Sequence, residues 1–178
     1  MKIGQLTPCP LVALWAFVLC LGSISCEARR ADKAYLRGDY AKAAKELQWL
    51  AEQGDARAQY DLGLLYDTGR GVPQSDEKAL RWYQQAAEQG EARAQYNLGL
   101  MYANGQGVQQ DYAQAYFWSS LSAAQGNGHA MDARDFLYEK MTPEQVVRAR
   151  QLLLEYEKGR KLDTSCQLCP LLKSKSAR

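Results

Sequence analysis

The sequence predicts an all-α fold of stacked helix–turn–helix repeats, and three observations carry that prediction. The chain matches itself at an offset of 36 residues, with Gly54 falling on Gly90. Within each copy, small and apolar residues recur at helical spacing. The strict alternation expected of half-buried strands is missing throughout.

The self-match is long. Gly54-Asp55-Ala56-Arg57-Ala58-Gln59-Tyr60-Asp61-Leu62-Gly63-Leu64-Leu65-Tyr66 falls on Gly90-Glu91-Ala92-Arg93-Ala94-Gln95-Tyr96-Asn97-Leu98-Gly99-Leu100-Met101-Tyr102. Gly69-Arg70-Gly71-Val72 falls on Gly105-Gln106-Gly107-Val108, and Ala79, Trp82 and Ala87 fall on Ala115, Trp118 and Ala123. Self-similarity at this period marks units that cannot bury their apolar faces alone and must stack. In the first helix Ala58, Leu62 and Tyr66 form a stripe, and Gly63 beside it admits a neighbouring helix closely. Gly69 and Gly71 end that helix and supply positive φ at low steric cost. Val72 pins the loop and Pro73 delays the restart. A second helix follows with Ala79, Trp82, Ala86 and Ala87 on its packing side, Trp82 being the bulky partner of the small positions; Gly90 ends it.

These residues resemble the Sel1-like repeat family, a relative of the tetratricopeptide repeats. The resemblance lies in Ala-Gln-Tyr-x-Leu-Gly-x-x-Tyr, the Gly-x-Gly-Val loop, and Lys-Ala-x-x-Trp-x-x-x-Ala-Ala-x-x-Gly from Lys78 to Gly90. It implies a right-handed α/α superhelical solenoid whose first helices line the inner surface. It implies a scaffold rather than a chemistry.

The organisation expected is a signal peptide at 1–25, a degenerate tetratricopeptide-like hairpin at 28–53, Sel1-like repeats at 54–89 and 90–125, capping helices at 126–159, and a flexible basic tail at 160–178. In the capping unit Arg134-Asp135 replaces the Leu-Gly core, as a terminal repeat allows. Thr142-Pro143-Glu144-Gln145 reads as a helix start with a capping box. Val146, Val147, Leu152, Leu153 and Tyr156 form that helix's apolar side, and Gly159 is its expected end.

Leu11 to Leu21 is an apolar run, too short for the roughly 20 residues a membrane-spanning helix needs. It fits the core of an export signal, cleaved before Cys26 or after Ala28, which places the mature chain in the periplasm or outside the cell. Cys26 also raises a lipid-anchored reading; Ser23 stands where bacterial lipoproteins carry an aliphatic residue, so plain secretion is preferred. No second apolar run follows, and no membrane span is expected in the mature chain.

Composition excludes several function classes. Across 178 residues, 22 Lys and Arg oppose 20 Asp and Glu, with both signs interleaved rather than gathered into the basic stripe a nucleic-acid partner requires. His129 is the single histidine, which removes most nucleophile–base pairings and His-based metal sites. Cys166-Gln167-Leu168-Cys169 lacks the βαβ setting of redox pairs and the further ligands of a zinc site. A local disulfide or an intermolecular bridge is the default outside the cytoplasm. Asp61 with Asp67, or Asp132 with Asp135, could be drawn as acid–base couples, but helix-surface positions favour solvated carboxylates. No cofactor, metal or catalytic residue is expected.

What remains is surface. The outward stripe of the first helices is Arg57, Tyr60, Asp61, Leu64 and Asp67 in one repeat, and Arg93, Tyr96, Asn97, Leu100 and Asn104 in the next. Tyr and Arg are enriched where proteins bind one another; packing of Tyr60 and Leu64 against neighbouring helices is the competing reading. The expectation is a non-catalytic adaptor or regulator that holds a protein or peptide in a concave groove. A peptidoglycan-acting enzyme, or a regulator of one, and a lipid-anchored envelope assembly factor are the alternatives.

Overall fold

The structure, a computed structural model, describes residues 29–173, with side chains described through residue 159. The export signal expected at 1–25, Cys26 with its lipid-anchor reading, and residues 174–178 lie outside the described residues, as do the side chains of Cys166 and Cys169 and their expected disulfide. Among the described residues all regular structure is helical: α1 at 29–36, α2 Tyr40–Glu52, α3 Ala56–Thr68, α4 Asp76–Glu88, α5 Ala92–Asn104, α6 Tyr112–Ala124, α7 Gly128–Lys140 and α8 Pro143–Lys173. None is long and apolar enough to cross a membrane.

Helices α2 to α7 are each 13 residues long, because the sequence punctuates both ends. Asp39 accepts from the Lys42 amide at 3.2 Å, Asp55 from Ala58 at 2.7 Å, Ser75 from Lys78 at 3.4 Å, Asp111 from Ala113 at 2.9 Å, and Asn127 from Ala130 at 3.4 Å. Each such cap satisfies an orphan N–H and stabilises its helix by about 1 kcal/mol. Glu91 is the exception: its carboxylate takes Arg93 Nε at 2.8 Å and makes no cap bond. Helices α3 and α5 end on Gly69 and Gly105, at φ 67° and 71°. The loops then return identically, Ser75 N–H donating to the Tyr66 carbonyl and Asp111 N–H to that of Tyr102, both at 3.0 Å.

The chain divides after Gln89 into two compact units. In the first, α3 packs between α2 and α4. Its core is Ala31, Ala44, Leu47, Leu50, Ala51, Ala58, Leu62 and Leu65, with Tyr35, Tyr40, Tyr66, Val72 and Trp82 half-buried against it. Contact on two sides explains why the expected stripe of Ala58, Leu62 and Tyr66 is too narrow: Gln59, Gly63 and Leu65 are buried as well, while Tyr66 is half-buried. The loop that follows α3 is held down by more than Val72. A Cβ at Gly71 (φ 72°) would overlap the backbone of Tyr40 and Ala41, so the loop lies directly on the start of α2.

In the second unit α6 is the central helix, touching α5, α7 and α8. The Phe117 ring meets Tyr156 of α8 edge-on at 5.8 Å, and Ala149 of α8 is buried. The capping box at Thr142 forms as the sequence predicts: Gln145 N–H donates to Thr142 Oγ1 at 3.3 Å, and Thr142 N–H to Gln145 Oε1 at 2.9 Å. The backbone N–H of Glu144 and the Thr142 hydroxyl hold the Glu144 carboxyl below the usual carboxylate range. That aid to the helix start is present at neutral pH and fades as pH falls through the depressed value. Two expectations for α8 are corrected. Val147 is 65 % exposed rather than part of the apolar side, because α8 meets α6 along the Ala149 face. The helix also runs through Gly159 to Lys173 instead of ending there. An interior glycine costs a helix only about 1 kcal/mol, and the residues around it (Glu155, Glu157, Lys158, Arg160, Lys161) are good helix formers.

Gly71→Ala and Gly54→Ala separate backbone conformation from contact. Both glycines have positive φ, but a Cβ at Gly54 meets nothing within 4 Å. Urea denaturation should show a loss of about 1–2 kcal/mol for Gly54→Ala and a clearly larger one for Gly71→Ala; equal losses would remove the loop's contact with α2.

Candidate functional site

The expected surface stripe depends on how the first helix of each repeat is held. In the first unit the holding side chain is Tyr83, which the sequence reading passed over in favour of Trp82. Tyr83 is fully buried, and a Cβ at Gly63 would lie 2.7 Å from its Cδ1. Trp82 is half-buried at the edge of the core. A signal was present: Ala79, Tyr83, Ala86 and Ala87 follow i, i+4, i+7, i+8, a tighter face than one that includes Trp82.

Tyr83 reaches the stripe itself. Its hydroxyl donates to Asp67 Oδ2 at 3.3 Å, and its ring lies 5.8 Å from that of Tyr60. Arg57 pairs with Asp61 at 3.8 Å and with Asp32 of α1 at 3.6 Å. Tyr60, Asp61, Leu64 and Asp67 are half-buried and Arg57 is exposed. The stripe is thus a surface edge partly committed to its own unit, with Tyr60 packed on Tyr83 as the competing reading expected.

The second unit repeats the backbone but changes the filler. Ser119 occupies the position of Tyr83, and the helices close up to compensate: a Cβ at Gly99 would sit 2.7 Å from Ser119 Oγ and 3.2 Å from the Ala115 carbonyl oxygen. Ser119 Oγ is buried without a hydrogen-bond partner. On the stripe, the Tyr96 ring lies 6.3 Å from the ring of His129, and Arg93 pairs with Glu91 at 2.8 Å. Asn97 and Leu100 are half-buried; Asn104 is exposed and donates to Gln106 Oε1 at 3.3 Å.

Buried glutamines, also unforeseen, orient these helices. Gln59 donates to the Ala51 carbonyl at 3.0 Å, adding a second donor to one of the last carbonyls of α2, which also accepts from Gly54 N–H. Its own Oε1 accepts from Gln89 Nε2 at 2.7 Å. In the second unit Gln95 Oε1 accepts from Gln125 Nε2 at 2.8 Å. The recurrence of Gln59 as Gln95 and Gln89 as Gln125 at one offset was the available signal.

Three of the four carboxylates considered for acid–base work are otherwise engaged. Asp61 faces Arg57, Asp67 accepts the Tyr83 hydroxyl, and Asp135 is paired with Arg134 at 2.7 Å. Among the described residues no group of His, Cys, Asp and Glu is arranged to hold a metal ion. What the stripe offers is contact area with directed polar bonds.

Comparison with known proteins agrees with the geometry. The Sel1 repeat family matches residues 56–91 and 92–127. A solved structure of a protective antigen present in uropathogenic Escherichia coli strains, displaying an SLR fold, superposes with a TM-score of 0.72 at 28 % identity, covering 83 % of this chain and 32 % of that one. A Sel1 repeat protein from Oxalobacter formigenes superposes with a TM-score of 0.60 at 31 % identity, covering 72 % of this chain and 55 % of that one. The chain therefore spans about a third of the length of the first protein and just over half of the second. No curated protein sequence matches it.

The two fully buried serines of α6 give a direct test of the packing. Ser122 Oγ donates to the Ala92 carbonyl at 2.6 Å and accepts from Asn127 at 3.0 Å, whereas Ser119 Oγ has no partner. Ser122→Ala should destabilise by about 1–2 kcal/mol, and Ser119→Ala should be neutral or stabilising by up to about 1 kcal/mol. Melting temperatures moving the opposite way would show the Ser119 environment to be wrong.

Proposed function

We propose that this chain, whose residues 56–127 are two Sel1 repeats, is a non-catalytic scaffold of the bacterial periplasm or cell surface that holds a protein or extended peptide along the first helices of its repeats. Sel1 repeat proteins generally mediate protein–protein interaction. The observation that carries the reading is the repeated edge of α3 and α5. At equivalent positions each presents an arginine, a tyrosine and a half-buried leucine, Leu64 or Leu100, outside the set of residues that closes the core. Half-buried apolar side chains flanked by Arg and Tyr suit the centre of a protein contact, where a few anchors supply most of the affinity.

Truncating Tyr60 would disturb Tyr83, so the test leaves the rings in place. A photo-crosslinking amino acid is introduced at Leu64 or Leu100, and at the exposed Arg81 of α4 as control. After irradiation in envelope extract, discrete protein adducts are expected from positions 64 and 100 and none from 81. Adducts from 81 alone, or from none of the three in extract or culture supernatant, would refute the assignment.

A further inference from the structure

The first unit carries a second surface, unrelated to the stripe, whose chemistry names its ligand more narrowly. Between α1 and α2 lies a cleft of about 380 Å³. Arg30 and Lys33 line it from α1, Arg37 from the turn that follows, and Lys42 from α2; Ala34 is also in its lining, and Asp39 and Glu46 complete the wall. Residues 30, 33 and 34 follow i, i+3, i+4 and share one face of α1, and Arg37, whose N–H still bonds the Lys33 carbonyl, continues that face just past the helix end. In a chain with 22 basic and 20 acidic residues, four cations around one small cleft are a local excess.

Asp39 and Glu46 offset only part of this charge, two acids against four cations. The ion pairs of the described residues involve Arg57, Arg93, Arg134 and Arg148 and none of these four cations. Asp39 spends one carboxylate oxygen on the Lys42 backbone N–H, as the cap of α2. Asp32, the remaining acid of α1, is drawn toward Arg57. Leu36, on the same short helix, is 87 % exposed.

We infer that this cleft binds an acidic peptide segment, one carrying at least two carboxylates and an apolar side chain. Its carboxylates pair with Arg30, Lys33, Arg37 and Lys42, Arg being suited to bidentate contact. Asp39 and Glu46 repel any anion, phosphate and carboxylate alike, but a peptide also brings backbone N–H donors for them to accept, which a phosphate does not. Leu36 gives the apolar side chain of the ligand a partner outside the cleft. This site goes beyond the first-helix reading and does not depend on it.

The test uses the full mature chain and a fluorescein-labelled dodecapeptide in which Asp and Glu alternate with Leu, followed by fluorescence anisotropy at low salt. Binding should weaken at least about tenfold in Lys33→Glu/Arg37→Glu, and fall as sodium chloride is raised. It should stay within about twofold of wild type in Lys33→Arg/Arg37→Lys and in Arg148→Glu/Arg150→Glu, which makes the same charge change on α8. Far-ultraviolet dichroism of each variant confirms that the helices persist. Equal weakening in the α8 variant would reduce the effect to net charge and overturn the site. So would the absence of binding to the wild type, stronger competition from inorganic phosphate, or capture by phosphatidylglycerol vesicles in preference to the peptide. A positive peptide titration with failed crosslinking at 64 and 100 would keep this site and remove the other.

Discussion

Helices of 13 residues are too short to persist alone in water, where roughly 12–15 residues are marginal even for favourable sequences. This length limit governs the rest of the molecule. Each helix must be gripped by neighbours, and the grip is tightest where a residue without a side chain lets another helix come close. Gly63 against Tyr83, and Gly99 against Ser119 and the Ala115 carbonyl, are two solutions to one problem, a large filler at one crossing and a shorter approach at the other. Everything a partner could touch is what this gripping leaves over.

Much of the architecture was legible in the chain because it is written in local chemistry. The glycine end at Gly69, its repeat at Gly105, and the Thr142 box each act within a few residues, so spacing alone reveals them. The unforeseen features are those that depend on two-sided contact. A helix read as having one apolar face assigns Gln59 to solvent. Packed between α2 and α4, that glutamine is instead 4 % exposed and wired to a helix end. The same cause hid Tyr83, whose hydroxyl made it look like a surface residue until Asp67 supplied a partner. Gly159 misled for another reason: a glycine stops a helix only when the chain turns there, and nothing around it favours a turn.

The candidate surface was legible as a set of positions but not as a state. Sequence placed Arg57, Tyr60, Asp61, Leu64 and Asp67 together on one edge of a helix, and the structure keeps them on that edge. Spacing does not reveal that Asp67 serves Tyr83, or that Arg57 leans toward both Asp32 and Asp61. The two Arg57 contacts are exposed or part-exposed ion pairs, each worth under about 1 kcal/mol. They hold the side chains in place without making them costly to release to a competitor.

The polar ties span fixed distances along the chain. Gln59 with Gln89 and Gln95 with Gln125 both join residues 30 apart, and Ser122 reaches back the same interval to Ala92. Inserting or losing a single amino acid within one of the helices of such an interval would pull a buried polar side chain off its partner. Adding or removing a whole 36-residue module leaves each tie intact. Lineages of this architecture can therefore lengthen or shorten by gene-segment duplication far more freely than they can tolerate small insertions, and differences in length among relatives should fall in whole modules.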